Sequence, residues 1–187
     1  MGWPRIGAGA RACRVPADLP DDVRALVGMG YRPATNIRAR GMVRLARSLG
    51  FAVTLADELA EVAEVSIDEE GWGVNVAVLP RRPGARSVGW ADFGEEIVLQ
   101  VGEFGGRWEL GGDDEDLLLL EAVVRSVVAG RVTEILAPGR SRVIVVLADG
   151  ERQVETGYQA PVGCIPLPLW PRWSRTVRYS PYWESSP

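Results

Sequence analysis

The chain of 187 residues contains no histidine and no lysine. Without histidine there is no Ser-His-Asp or Cys-His catalytic arrangement, no imidazole metal ligand and no imidazole general base. Without lysine there is no Walker A loop, no Schiff base and no lysine-bound pyridoxal phosphate. These two absences exclude several catalytic mechanisms at once. The sequence therefore predicts a protein that is not an enzyme and that carries no cofactor and no metal ion.

Cysteines and long apolar runs are scarce as well. Cys13 and Cys164 are the only two cysteines, and two thiols cannot form a structural zinc site or a disulfide framework. No stretch reaches the roughly 18 apolar residues typical of a membrane span. The N-terminal stretch that contains Arg5 and Arg11 is too rich in glycine and proline for a secretory signal. We therefore expect a cytoplasmic protein with no membrane partner.

Charge is distributed unevenly along the chain. The net charge is −4 and the pI is about 5.0. Residues 1–48 have a net charge of +6, residues 49–122 of −13, and residues 123–187 of +3. An acidic surface repels the phosphates of nucleic acids and attracts basic partners. This pattern predicts that nucleic acid is not a partner.

Helical periodicity begins after an irregular N-terminal stretch. Residues 1–34 are rich in Gly, Pro, Ala and Arg without periodicity, which predicts a poorly ordered extension. Ile37, Met42, Leu45 and Leu49 then recur at helical spacing, and Gly50 stands where a C-terminal cap belongs. We expect an amphipathic helix that ends at Gly50.

The rest of the chain alternates like antiparallel strands around one long helix. Alternating apolar residues predict strands at Phe51 to Leu55, Val65 to Ile67, Val74 to Val78, Val88 to Ala91, Ile97 to Val101, Arg107 to Leu110, Val132 to Leu136, Val143 to Leu147 and Arg152 to Tyr158. The apolar run from Asp113 to Ala129 predicts a buried central helix closed by Gly130. The predicted fold class is therefore α+β: one twisted antiparallel sheet of about seven to nine strands, an N-terminal amphipathic helix and a buried central helix.

The predicted domain organisation has three parts. Residues 1–34 form the extension, and residues 35–160 form a single α+β domain. Residues 161–187 combine several prolines with Trp170, Trp173 and Trp183. Because proline removes a backbone donor, this tail is expected not to continue a sheet but to pack on the domain as an extended arm.

Two glycine-rich segments in the acidic middle each contain aromatic residues. Aromatic and arginine side chains dominate the binding energy of protein interfaces, and glycine gives a loop freedom to enter a concave partner. The expected partner-binding residues are Glu70, Trp72, Glu103, Phe104, Arg107 and Trp108. The alternative interpretation is that Trp72 and Trp108 are half-buried on the sheet.

The C-terminal half resembles a known family. The residues that carry the resemblance are Gly130-Arg131-Val132-Thr133-Glu134, Pro138-Gly139-Arg140-Ser141-Arg142, Leu147-Ala148-Asp149-Gly150, and Gly163-Cys164-Ile165-Pro166-Leu167-Pro168 with Trp170, Trp173 and Tyr179. Over roughly residues 95–183 the chain is similar to small actinobacterial immunity proteins, such as the immunity factor of the tuberculosis necrotizing toxin, an NAD glycohydrolase. The resemblance implies an α+β inhibitor without catalysis of its own, which blocks the active site of a secreted toxin with a loop.

Three functional hypotheses follow. The first is a non-catalytic immunity protein that binds its cognate toxin 1:1, the toxin being one that hydrolyses NAD. The alternative is a phage or prophage structural or accessory protein, whose aromatic C-terminal arm docks on a neighbouring subunit. The third is an enzyme that uses Asp, Glu and Arg alone, for which a deep pocket with two inward carboxylates is needed.

Overall fold

The computed structural model describes residues 37–70, 73–111, 113–159 and 170–183. The predicted extension at residues 1–34 lies outside this part of the chain. The described residues form two helices, α1 (Ile37–Leu59) and α2 (Asp114–Val128), and a short 3-10 helix, Trp170–Trp173. Their strands are β1 (Ala63–Glu70), β2 (Gly73–Pro80), β3 (Val88–Asp92), β4 (Ile97–Val101), β5 (Arg107–Leu110), β6 (Val132–Ala137), β7 (Arg140–Val146), β8 (Arg152–Tyr158) and β9 (Arg175–Arg178). The α+β class is thus confirmed.

The first helix is longer than predicted. The expectation that it ends at Gly50 and that a strand follows from Phe51 is wrong, because α1 continues to Leu59. The buried residues of α1 follow an i, i+3, i+4, i+7, i+11 pattern across Gly50, namely Ser48, Phe51, Ala52, Leu55 and Leu59. This helical spacing continues the apolar face onto the sheet, where the Phe51 ring stacks on Trp90 with centroids 5.7 Å apart. Packing of this face outweighs the low helix propensity of one glycine.

The strands form two sheets rather than one. Strands β1 to β5 form an antiparallel meander in sequence order, and the other four form a second antiparallel sheet in the order β8-β7-β6-β9. The prediction of a single sheet of seven to nine strands is therefore wrong, although nine strands are present in the described ranges. Alternation within a strand does not reveal which strands are its neighbours in a sheet. β5 and β6 are separated in the chain by α2, and they belong to different sheets.

The last strand corrects the prediction for the tail. Arg175–Arg178 pairs antiparallel with β6, so this part of the predicted extended arm is an edge strand of the second sheet. The prolines lie on either side of it, while Thr176 and Val177 are β-branched residues that favour strands. Pairing with β9 satisfies backbone groups of β6 that would otherwise form an open edge.

The central helix lies where the sequence predicts it. The Asp113 side chain caps α2 by accepting a hydrogen bond from the Asp116 N–H at 2.9 Å, and Gly130 follows the helix with φ 71°. Seven residues of α2 are buried: Leu117, Leu120, Val123, Val124, Ser126, Val127 and Val128. All of them except Ser126 belong to one continuous hydrophobic core that includes residues of α1 and of both sheets. Neither α1 nor α2 combines the length and apolar character that a membrane-spanning helix needs.

Candidate functional site

The strongest candidate site is the β4–β5 loop, residues 102–106, which carries two of the predicted partner-binding residues, Glu103 and Phe104. Gly102 and Gly106 have φ values of 91° and 70°, which side chains other than glycine rarely adopt. The loop is closed by a hydrogen bond from the Val101 N–H to the Gly106 carbonyl, 2.8 Å long. Local chain geometry therefore requires glycine at both ends of the loop.

Three consecutive N–H groups of this loop are held by two buried side chains of the second sheet. The Glu103 N–H donates to Glu134 Oε1 at 2.6 Å. The N–H groups of Phe104 and Gly105 both donate to Ser141 Oγ, at 3.2 and 2.6 Å. Glu134 and Ser141 are both fully buried. The loop is thus fixed against β6 and β7.

Glycines permit this close approach of the two sheets. A Cβ atom on Gly105 would overlap the Ser141 carbonyl oxygen, and a Cβ atom on Gly157 of β8 would overlap the Phe104 carbonyl oxygen. The glycines were predicted to give the loop freedom to enter a concave partner. In the structure they instead let the loop backbone lie directly against β7 and β8.

A buried polar cluster surrounds Glu134. Its Oε2 accepts a hydrogen bond from the Tyr179 hydroxyl at 2.6 Å and lies 4.0 Å from the Arg86 guanidinium. That guanidinium lies over the Tyr179 ring at 5.4 Å, and the Tyr182 hydroxyl donates to the Arg86 carbonyl at 2.6 Å. The cluster therefore joins the β2–β3 connection, the β4–β5 loop, β6 and the C-terminal segment.

The tyrosines of this cluster keep their protons. Burial, and the hydrogen bond donated to Glu134, raise the pKa of Tyr179 well above its ordinary value, although the nearby Arg86 lowers it in part. Burial likewise raises the pKa of Tyr182. A neutral Tyr179 donates to a carboxylate that has no exposed surface. The geometry holds the loop in place and leaves this carboxylate out of contact with solvent.

The structure gives the predicted partner-binding residues different environments. Glu103 and Arg107 are exposed, and Phe104 is half-buried. Arg107 forms an ion pair with Glu109 at 3.2 Å. Trp108 is only 7% exposed and packs in the core opposite Leu99 of β4. The structure thus brings Glu103, Phe104 and Arg107 together at the loop, while Trp108 has a place in the core.

The other glycine-rich segment is described only in part. Glu70 is the last residue of β1, where it pairs with Gly73 of β2. The Glu70 side chain and Trp72 lie outside the described residues. The expectation that they contact a partner stays a prediction.

Sequence reasoning missed the two side chains that hold the loop. A signal was present, because Glu134 alternates with Val132 in β6 and Ser141 alternates with Val143 and Val145 in β7. A polar residue at an inward position of a strand indicates a buried hydrogen bond. Its partner could not be predicted, because the β4–β5 loop is distant in sequence.

Comparison with models of known protein families and with curated proteins finds no match for the chain. Across the described ranges no group of three or more metal-ligating side chains is placed to hold a metal ion.

Proposed function

We propose that the chain is a non-catalytic immunity protein that binds a cognate toxin through the β4–β5 loop and blocks it in a 1:1 complex. The observation that carries the proposal is the fixing of three consecutive loop N–H groups by buried Glu134 and Ser141. A loop held in this way loses little conformational entropy when a partner binds, which favours tight inhibition.

The side chains of the loop fit this role. Glu103 and Arg107 are exposed charges of opposite sign, and the half-buried Phe104 stands between them in sequence. Charged and aromatic groups on a rigid scaffold favour specific recognition of one partner. The family resemblance supports an NAD-hydrolysing toxin as that partner, since the immunity factors it points to neutralise such an enzyme.

A charge-swap variant tests the proposal. Tagged wild-type chain and the double variant E103R/R107E are purified from the native host, and associated proteins are identified by mass spectrometry. The matched control is E64R/R81E, which exchanges two exposed charges outside the loop and also keeps the net charge. We expect the wild type and the control to retain one stoichiometric partner with the architecture of a secreted toxin, and the loop variant to lose it.

A neutralisation assay tests whether the captured partner is a toxin that the chain inhibits. Expressed alone in a bacterial host, the partner should arrest growth and deplete NAD, and coexpression of wild-type chain, but not of E103R/R107E, should restore both. Virion or prophage proteins in the purified sample would favour the structural or accessory alternative. Recovery of the chain alone, or equal capture by both variants, would contradict the proposal.

A further inference from the structure

The outward face of the second sheet carries a basic and apolar surface. On the inward side Val132, Glu134, Val143 and Val145 are buried, so the alternate residues of β6 and β7 point away from the core. Register extends this assignment to β8 and β9. The outward positions of the four strands are Thr133, Ile135, Ala137, Arg140, Arg142, Ile144, Val146, Arg152, Val154, Thr156, Tyr158, Thr176 and Arg178. None of these positions in β6 to β9 is acidic, although the chain has a net charge of −4.

Apolar residues form the middle of this surface and arginines surround it. Val154, Ile144, Thr133 and Arg178 are register partners in one row across all four strands. Val154 is 48% exposed, and Ile144 and Val146 are half-buried. The adjacent row pairs Val146 with Arg152 and is continued by Arg131, whose carbonyl accepts from the Val146 N–H. We call Arg131, Ile144, Val146, Arg152, Val154 and Arg178 the basic face.

Contacts at the other end of the sheet fix further cationic and aromatic groups. The Arg140 guanidinium lies 5.6 Å from the centre of the Tyr158 ring, and Tyr158 is 56% exposed. Arg142 lies over Trp170 at 5.5 Å and donates from Nε to Thr156 Oγ1 at 3.1 Å. Aromatic neighbours orient both arginines. Arg140 is only 3% exposed, so it is the half-buried Arg142 that adds positive potential beside the basic face.

From this arrangement we infer that the basic face binds an acidic protein segment. An apolar side chain of the segment contacts Val154 and Ile144, and carboxylates on either side pair with Arg131, Arg152 and Arg178. Charge complementarity selects an acidic partner, because the three arginines are exposed and none of the outward positions of β6 to β9 is acidic. The apolar middle and the pI of about 5.0 favour a protein over a nucleic acid. The inference does not depend on whether the β4–β5 loop inhibits a toxin.

Two synthetic peptides test the inference on the full chain. One has a leucine flanked on both sides by glutamates, and the other has serine in place of that leucine. With methyl-labelled protein, we expect the leucine peptide to shift the signals of Ile144, Val146 and Val154 and to bind more tightly than the serine peptide. R152E should weaken binding about five- to tenfold, since it replaces attraction by repulsion at an exposed site. R81E, an equal charge change at an exposed residue outside the basic face, should leave binding unchanged.

Four results would overturn the inference. The first is a lack of peptide-induced shifts on the basic face, and the second is equal weakening by R152E and R81E. The third is tighter binding of an oligothymidylate to the same methyl groups, which would assign the face to nucleic acid. The fourth is concentration-dependent self-association abolished by R152E, which would assign it to a second copy of the chain. Loss of toxin capture by E103R/R107E would affect none of these readouts.

Discussion

Two buried polar residues of the second sheet hold the β4–β5 loop of the first sheet in place. Glu134 and Ser141 occupy inward positions of an otherwise apolar sheet, where an unpaired polar group is costly. Each is satisfied by N–H groups of the β4–β5 loop. Without Glu134 and Ser141, three N–H groups of the loop would lack these hydrogen-bond acceptors. At the scale of single residues, the hydrogen bonds of the loop and those of the second sheet depend on each other.

Removing the Ser141 hydroxyl should therefore destabilise the protein and release the loop. S141A leaves the buried N–H groups of Phe104 and Gly105 without their acceptor, at a cost of about 1–3 kcal/mol in the free energy of unfolding. Chemical denaturation measures this cost, and hydrogen exchange should show faster exchange at those two amides. The control S66A changes a half-buried serine of β1 and should alter the stability by less than about 0.5 kcal/mol. Equal effects of the two substitutions would contradict the assigned role of Ser141.

The buried tyrosines make stability depend on pH in the alkaline range. Because the pKa of Tyr179 and of Tyr182 is raised in the folded state, the unfolded chain releases these protons at a lower pH than the folded protein does. The stabilisation is present below the ordinary tyrosine pKa of about 10 and is lost as the pH rises above it. The double variant Y179F/Y182F should lose this pH dependence when denaturation is measured over the alkaline range. Ionisation of all tyrosines, seen by absorbance before the fold is lost, would show that they are not protected.

At the scale of elements, α1 shows how a continuous buried face overrides a helix-breaking signal. Gly50 is followed by Phe51, Ala52, Leu55 and Leu59, whose side chains all pack into the core. An added Cβ on Gly50 would meet no atom within 4 Å, so the glycine has no packing role.

G50A should consequently stabilise the protein. Alanine has a helix propensity about 0.8–1.0 kcal/mol better than glycine in a helix interior, and the site has room for the methyl group. The matched control is G94A, which is equally open but has a φ of 79° and should destabilise by about 1 kcal/mol. Thermal or denaturant unfolding measures both changes. A loss of stability in G50A would contradict the continuous helix.

Most elements could be predicted from the sequence, and the exceptions have physical reasons. The strands from β2 to β8 alternate clearly, and α2 carries both a cap and a closing glycine, which are local signals. For Phe51 to Leu55, alternation and helical spacing both fit, and packing of the helical face on the sheet, with Phe51 on Trp90, decides between them. In β9, the short strand flanked by prolines depends on pairing with β6, which local sequence does not encode. The assignment of Glu103 and Phe104 to a partner surface stays a prediction, whereas Glu134 and Ser141 were missed because their partners are distant in sequence.

At the scale of the whole molecule, the two sheets meet where backbone approaches backbone. Gly157 of β8 lies against the Phe104 carbonyl of the β4–β5 loop. Gly130 after α2 also lies close to the backbone of Ser180 and Pro181. The first of these close contacts joins the first sheet to the second sheet. The other joins the end of α2 to the C-terminal segment. The candidate loop lies at the first of these contacts, where backbone contact and hydrogen bonds both hold it.

G157A tests that contact. Its methyl group would overlap the Phe104 carbonyl oxygen, and backbone cannot move aside as a flexible side chain can. We expect a loss of about 3 kcal/mol in the free energy of unfolding, at the upper end of overpacking costs. Denaturant unfolding followed by intrinsic fluorescence reports the change. An unchanged midpoint would show that the two sheets do not touch at this position.

The pairing of β6 with β9 has a consequence for synthesis on the ribosome. Each strand of the first sheet pairs with its neighbour in sequence, so that sheet can assemble while translation continues. The nascent second sheet must keep one side of β6 open until Arg178 has left the exit tunnel. A polypeptide that stalls or is cleaved between β8 and β9 exposes the unpaired edge of a largely apolar strand, the kind of edge from which chains aggregate. Chaperone dependence should therefore be concentrated in the interval between the emergence of β8 and that of β9.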